Sequence, residues 1–184
     1  NRELFFIPVV NPDGLVYNHE IEPNGGGMQR KNRLESCNGD NDYDQWDGVD
    51  LNRNYSFYWG YDNLGSSPDG CYQTYRGNSE FSEPETQAIR DFVQMRNFTI
   101  ALNYHSYSNL LIYPFGWEPN TYPPEEDHQI FTEYGTEMTQ FNGYLLLSCS
   151  NSNISFMKPF VPSLGSNIIF NDPGLSIIVS VALY

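Results

Sequence analysis

Short uninterrupted apolar runs along the chain predict three strands. They lie at about Leu4–Val10, Phe98–Tyr104 and Leu110–Pro114, and each is short and contains β-branched or aromatic residues. The first run is followed by Asn11–Gly14 (NPDG), in which proline and glycine occupy positions typical of a turn. The polar, glycine-rich stretch Asn18–Gly48 has few periodic apolar positions, so we predict a long loop there; such loops in compact domains are usually functional or disordered.

Two other stretches space their apolar residues as a helix does. Ser82–Glu85 (SEPE) has the pattern of a capping box with a proline in the first turn, which predicts a helix start. The apolar stripe after it consists of Ala88, Ile89, Phe92 and Val93. A second amphipathic helix is predicted over about Glu125–Asn142, with a stripe of Ile130, Tyr134, Met138 and Phe141. Strands that alternate with helices predict an α/β fold with a mixed, mostly parallel sheet flanked by helices.

Composition and charge narrow the class of protein. A chain of 184 residues with 39% hydrophobic and 16% aromatic residues is expected to form one packed domain, not a disordered chain. Its formal charge of −14 would repel phosphate backbones and anionic lipid, so we expect neither nucleic acid nor a membrane surface as a partner. The longest apolar stretch, near Ile177–Tyr184, is about half the ~20 residues that a membrane span needs.

The first residues of the chain and its sequons suggest what kind of polypeptide it comes from. Residue 1 is Asn and a strand pattern follows at once, so we expect a piece of a longer polypeptide. The sequence contains three N-x-S/T sequons, at Asn54, Asn97 and Asn153. Sequons matter only in a protein that is exported, and they often arise by chance.

Six short motifs occur in a fixed order along the chain. They are PVVNPDG (8–14), QRKNR (29–33), GVDLNRNY (48–55), TYRG (74–77), SEPET (82–86) and HSYSNLLIYPFGW (105–117). Each motif alone is weak, but together, over about residues 4 to 143, the sequence resembles the zinc metallocarboxypeptidases of the pancreatic carboxypeptidase A/B type. The resemblance implies their α/β fold, one Zn²⁺ ion as cofactor, and peptide or protein C-termini as substrates.

The resemblance also implies roles for three polar residues. Asn52 and Arg53 match the pair that binds the free C-terminal carboxylate of a peptide, and Arg30 matches the arginine that polarises the scissile carbonyl. A guanidinium meets a carboxylate in a bidentate manner, and a neighbouring amide can add a further hydrogen bond. The alternative for Arg53 is a structural ion pair. Lys31 and Arg33, in the same motif as Arg30, are expected at the surface.

Four further residues receive roles from the resemblance. His105 matches the third zinc ligand of the family and Tyr107 a tyrosine that lines the substrate cleft. By itself a lone histidine after a buried strand is more often structural, and a tyrosine there could equally be core packing. Cys37 and Cys71 match a family disulfide pair, and with it we expect an extracellular or secretory location.

The sequence departs from the family pattern in two places. The H-x-x-E motif that supplies the other two zinc ligands does not precede Asn11. His19–Glu22 (HEIE) has the right spacing but follows the NPDG motif in a predicted loop, so we reject it as a ligand pair. The family's general base is a late glutamate, and the sequence has no Glu after Glu137.

These departures set the expected limits of the domain and its function. We expect a partial peptidase catalytic domain over residues 1–144 and a divergent tail of uncertain structure over residues 145–184. The predicted function is zinc-dependent hydrolysis of the C-terminal peptide bond, and the sequence leaves open whether this chain is active as it stands. The alternative is a non-catalytic pseudoenzyme or binding module that recognises peptide C-terminal carboxylates.

Overall fold

The computed structural model describes residues 3–39, 44–105, 109–148 and 176–182, the last of these as backbone. The chain divides into two compact units, Asn1–Ser106 with Pro162–Tyr184, and Tyr107–Val161. Each unit is described by itself below. Within the described residues, no helix combines the length and the apolar character that crossing a membrane requires.

The first unit is built on a three-stranded parallel sheet. Strand β1 spans Glu3–Ile7, β2 spans Ile100–His105 and β5 spans Ser176–Ala182, and β5 lies between the other two. In the register, Phe5 is opposite Ile178 and Leu102 is opposite Val179. The β5 sequence SIIVSVA is typical of the central strand of a parallel sheet, which is rich in β-branched residues. A strand therefore lies in the tail whose structure the sequence left open.

Helix α1, Pro12–Ile21, shows that the predicted turn at NPDG is wrong. Asn11 is the N-cap of this helix, and its Oδ1 accepts a hydrogen bond from the Gly14 backbone N–H at 2.9 Å. Pro12 suits the first helical position because its fixed φ is already helical and the missing N–H has no partner there. The predicted loop therefore starts after Ile21 and not at Asn18.

Helix α2, Pro84–Gln94, begins at the predicted proline but without the predicted capping box. Its N-cap is Glu83, which makes no side-chain capping bond, while Ser82 Oγ donates to Glu83 Oε1 at 2.6 Å. The serine is one residue too far from the helix to cap it. Ile89 and Val93 of the predicted stripe are buried.

An aromatic cluster packs α2 against the sheet. Phe5 of β1 meets the rings of Phe92 and Phe98 edge to face, with centroids 5.5 Å apart in both pairs. The Arg96 guanidinium lies over the Phe92 ring, 4.1 Å from its centroid. These contacts anchor the end of α2 and the start of β2, whose carboxyl end carries His105.

The second unit contains a two-stranded parallel sheet and one helix. Strand β3 spans Leu110–Tyr113, β4 spans Leu145–Ser148, and helix α3 spans Glu125–Thr139. The helix was predicted, but its apolar stripe is not buried in the described residues: Tyr134, Met138 and Phe141 are exposed, Phe141 by 91%. The buried residue of α3 is Gly135, which lets the helix approach Leu146 of β4 closely.

Candidate substrate-recognition site

Polar side chains form much of the interior of the first unit. Their distribution differs from an ordinary core, in which apolar residues dominate the buried positions. The buried members are Gln29, Lys31, Asn32, Asp47, Asp50, Arg53, Asn54, Ser66, Glu83, Thr86 and Thr99. Because a buried polar group without a partner costs free energy, the segments between α1 and α2 are held mainly by specific hydrogen bonds.

Asp47 organises the segment that carries Cys37. Its Oδ1 accepts from the backbone N–H groups of Ser36 and Cys37, each at 2.8 Å, and its Oδ2 from Asp44 N at 3.3 Å. Burial would raise the pKa of Asp47, but these backbone donors and the Lys31 charge outweigh it and lower the pKa. Cys37 is joined to Cys71 by a disulfide, with Cα atoms 4.4 Å apart.

Lys31 is fully buried, so its expected surface position is wrong. Its ammonium group donates to the backbone carbonyls of Trp46 and Gly70, the latter at 2.9 Å. Burial lowers the pKa of Lys31 to about 8, against the opposing charges of Asp47 and Asp50. Arg33 instead packs its guanidinium 3.8 Å from the centre of the Tyr17 ring.

Asp50 sets the conformation of the segment that holds Asn52 and Arg53. Leu51–Arg53 forms a short 3-10 helix, and Asp50 is its N-cap. Asp50 Oδ1 accepts from Asn52 N at 3.1 Å, and Asp50 O accepts from Arg53 N at 2.8 Å. Both candidate carboxylate-binding side chains are therefore fixed to one tight turn.

Arg53 is held rigidly from within the protein. Its side chain is buried, at 6% exposure, and its Nε donates to the Gly65 carbonyl at 2.6 Å. One terminal nitrogen donates to the Asn52 carbonyl at 3.3 Å. These carbonyl acceptors are neutral, so they orient the guanidinium without cancelling its charge. The half-buried Asn52 side-chain amide donates no hydrogen bond within the described residues.

Arg30 approaches the same turn. Arg30 NH2 lies 3.8 Å from Asp50 Oδ2, and its side chain is 37% exposed while Asp50 is fully buried. Asp50 Oδ2 accepts no hydrogen bond from the described residues. The pair thus joins a buried carboxylate to a cation that faces the solvent.

His105 lies in the field of these charges. It is the last residue of β2 and reaches the surface. Its pKa is lowered, first because neighbouring protein displaces part of its hydration and then because Arg30 and Arg53 are positive; Asp50 acts in the opposite direction. The charges that act on His105, at the carboxyl end of β2, therefore belong to Arg30, Asp50 and Arg53. Tyr107, the remaining predicted site residue, lies outside the described residues.

The part of the chain that the structure describes supplies too few ligands for a zinc ion. The described residues contain no group of three His, Cys, Asp or Glu side chains that could hold a metal. A catalytic zinc site uses three protein ligands, so His105 next to Asp50 does not fit one. The rejected pair His19–Glu22 lies at the end of α1, not in the loop where we expected it.

Sequence reasoning missed Asn54, the third polar residue of the NRN motif. Its Nδ2 contacts Arg76 O, Ser79 O and Ser82 Oγ at 2.8–3.0 Å, and its Oδ1 accepts from Glu83 N and Thr86 Oγ1. Asn54 is fully buried and follows directly after Arg53. It therefore ties the 3-10 helix to the start of α2 and stabilises the position of Arg53.

Comparison with known proteins places the chain in a family. The family model of the zinc carboxypeptidases matches residues 1–154. The chain belongs to this family. It is 35% identical to a zinc carboxypeptidase of Simulium vittatum and 35% identical to carboxypeptidase A1 of Mus musculus, in each case over 78% of the chain. The crystal structure of carboxypeptidase A from Helicoverpa armigera matches 95% of the chain, with a TM-score of 0.64 and 26% identity.

These matches cover only part of the related proteins. The chain spans 47% of the Simulium relative, 32% of the mouse relative and 41% of the Helicoverpa structure. Family membership agrees with the α/β fold and its parallel sheets. The relatives that the chain matches are named carboxypeptidases.

Proposed function

We propose that this chain supplies the substrate-recognition part of a zinc-dependent metallocarboxypeptidase that removes C-terminal residues from peptides and proteins. The observation that carries the proposal is the turn Leu51–Arg53, where a buried, charged guanidinium stands beside a side-chain amide that donates no hydrogen bond to the described residues. The Arg53 guanidinium and the Asn52 amide are two neighbouring donors, and each would form a charge-assisted hydrogen bond with a carboxylate. The remaining zinc ligands would come from sequence outside this chain.

Arg53 would select peptides that end in a free carboxylate. Its guanidinium is already ordered by Gly65 O and Asn52 O, so little conformational freedom is lost when the carboxylate binds. The Asn52 amide would add a second donor to the same carboxylate. An amidated C-terminus carries no charge and would lose the charge-assisted part of this interaction.

Arg30 would act on the carbonyl of the preceding substrate residue. It is more exposed than Arg53, and its contact with Asp50 restrains it close to the same turn. In this position it would donate to the carbonyl oxygen of the scissile bond as negative charge develops there. Removing such a donor typically lowers the rate about 10²–10³-fold.

An extracellular or secretory location belongs to the same proposal. The disulfide between Cys37 and Cys71 supports it, because disulfides persist in oxidising compartments and are rare in the cytosol. The acidic chain agrees with a partner that is neither nucleic acid nor an anionic membrane.

A second candidate function is a binding module that keeps the carboxylate clamp and performs no hydrolysis. The observation in its favour is the incomplete metal site in the described residues. Zinc content and turnover of a blocked dipeptide by the full-length parent protein separate the two functions. Bound zinc with turnover supports the peptidase, and peptide affinity without either supports the module.

The clamp itself is tested by two matched peptides that differ only at the C-terminus, one a free acid and one an amide. We expect the full-length parent to bind the acid about 10–100-fold more tightly, because a hydrogen bond to a charged group contributes about 1.5–3 kcal/mol. Arg53→Ala should abolish this difference. Arg33→Ala removes an equal charge from the Tyr17 ring and should leave the difference unchanged. Equal affinity of the unmutated protein for both peptides would refute the clamp.

A further inference from the structure

The sequons at Asn54 and Asn97 have opposite structural settings. Both satisfy the N-x-S/T rule, as NYS and NFT, so the sequence alone treats them as equivalent acceptors. Asn54 is fully buried, whereas Asn97 is exposed in the connection between α2 and β2. The third sequon, at Asn153, lies outside the described residues.

An oligosaccharide on Asn54 is incompatible with the fold. N-glycosylation joins the sugar to Nδ2, the atom that lies 2.9 Å from Arg76 O and 2.8 Å from Ser82 Oγ. A glycan replaces one of its two hydrogens and needs open space. Gly77 leaves no such space on its side, because even a Cβ added to this glycine would lie only 2.6 Å from the same nitrogen. A molecule glycosylated there could not form the connections that hold Arg53.

Asn97 has none of these constraints. The described residues make no hydrogen bond to its side chain, so a sugar on its nitrogen displaces no partner. It follows the end of α2, next to Met95, which is 73% exposed, so an attached chain would extend into solvent. The neighbouring Phe98 packs on Phe5 and Phe92, which anchors the segment and leaves Asn97 at the surface.

We infer that the folded, exported protein carries an N-linked oligosaccharide on Asn97 and none on Asn54. The inference rests on the secretory location in the proposed function, which the Cys37–Cys71 disulfide supports independently of the sequons. The glycan would cover the exposed end of α2 and raise the solubility of that surface. Asn54 must reach its buried position unmodified.

The test is site mapping on the full-length parent protein produced in a eukaryotic secreting cell. One arm uses the parent with its own N-terminus, and a second arm uses the same protein behind an established signal peptide. Peptide-N-glycosidase converts a glycosylated asparagine to aspartate, so mass spectrometry of the folded, secreted fraction reads the occupancy of each site. We expect conversion at residue 97 and unmodified asparagine at residue 54.

Two variants separate the sites, and both keep the buried Asn54 side chain. Asn97→Gln should remove the mass of one oligosaccharide from the secreted protein. The yield of folded, secreted protein should stay similar to that of the unmutated protein. Ser56→Ala removes the sequon of Asn54 but keeps the Asn54 side chain, and it should leave the glycan mass unchanged. An empty Asn97 in the signal-peptide arm, or a glycan on Asn54 of folded protein, overturns the inference. A glycan on Asn97 in the signal-peptide arm but not in the arm with the protein's own N-terminus supports the glycosylation site and counts against the proposed secretory location.

Discussion

The two units of the molecule are stabilised in different ways. In the first, the segments between α1 and α2 are held by buried polar side chains whose partners are distant in sequence, such as Asn32 and Glu83, 2.6 Å apart across 51 positions. In the second, α3 lies on β4 through the apolar contact of Gly135 and Leu146, and most of its side chains are exposed.

The difference explains why the candidate site lies where it does. A hydrogen bond fixes distance and direction, whereas an apolar contact fixes mainly proximity. A guanidinium that must meet a carboxylate in a bidentate manner needs the first kind of support. The buried bonds of Asp50 and Asn54 around Arg53 provide it, and we expect the first unit to be the less tolerant of substitution.

The largest expected effect is loss of the covalent link in the first unit. Replacing both Cys37 and Cys71 with alanine should lower the free energy of unfolding of the full-length parent by about 3–4 kcal/mol, because the disulfide closes a loop between residues 34 positions apart. Urea denaturation measures the change. Reductant should lower the stability of the unmutated protein to that of the double variant and should not affect the variant, and equal stability of both proteins without reductant would contradict this account.

Asn54→Ala should have the next largest effect. The substitution removes the Asn54 bonds to the Ser79 carbonyl and to the Glu83 backbone N–H, and it removes one of the two hydrogen bonds of Arg76 O and of the Thr86 hydroxyl. We expect a loss of about 3 kcal/mol. Asn24→Ala is the matched control because Asn24 is exposed, and it should change stability by less than about 0.5 kcal/mol. Similar losses for the two variants would show that the buried contacts of Asn54 contribute little.

Local patterns in the sequence predicted the elements better than their boundaries. The strands β1, β2 and β3 and the helices α2 and α3 lie near the expected positions because hydrophobic spacing is a local property. The NPDG motif was misread because Asn and Pro are favoured both in turns and at the start of a helix. Nothing in the local pattern distinguishes the two, and the contact that decides it, Asn11 with Gly14, is itself part of the helix.

The candidate site was harder to predict for a different reason. The motifs pointed to Arg30, Asn52, Arg53 and His105, whose functional roles remain predictions. They did not point to Asp50 or Asn54, because those residues act through partners up to 32 positions away. Burial of Lys31 was missed for the same reason: its carbonyl partner at Gly70 is 39 positions distant. Long-range polar contacts leave no periodic signal in a single sequence.

A pair of glycines tests the contrast between the units directly. A Cβ on Gly48 would meet the backbone carbonyl of Asn32, and its φ of +102° is strained for any other residue. Gly48→Ala should therefore cost about 2–3 kcal/mol. In Gly135→Ala the new Cβ meets only the tip of Leu146, which can move, and alanine favours the helix by up to about 1 kcal/mol.

We expect the net effect of Gly135→Ala to stay within about 1 kcal/mol, measured by the same denaturation assay. Because both substitutions add one methyl group, the size of the change is matched and only the surroundings differ. A larger loss of stability for Gly135→Ala than for Gly48→Ala would show that the surroundings of Gly135 in the second unit are more rigid than those of Gly48 in the first.

The last prediction, for Lys31→Met, concerns how stability depends on pH and not the size of the loss at one pH. Burial lowers the pKa of Lys31 from 10.5 to about 8 in the folded protein, so between these values the unfolded chain binds a proton that the folded chain does not. Unfolding then takes up a proton, and raising the pH through this range makes the unmutated protein more stable. The variant lacks this group.

The stability of the unmutated protein relative to Lys31→Met should therefore be constant below about pH 8 and rise towards pH 10.5. The urea midpoints of both proteins are measured across this pH range and subtracted. The contributions of all other titrating groups cancel, because both proteins contain them. Arg33→Met is the control, because a guanidinium stays charged throughout the range and should give a flat difference. A flat difference for Lys31→Met as well would mean that the buried ammonium keeps its ordinary pKa, and that its bonds to Trp46 and Gly70 offset the loss of hydration.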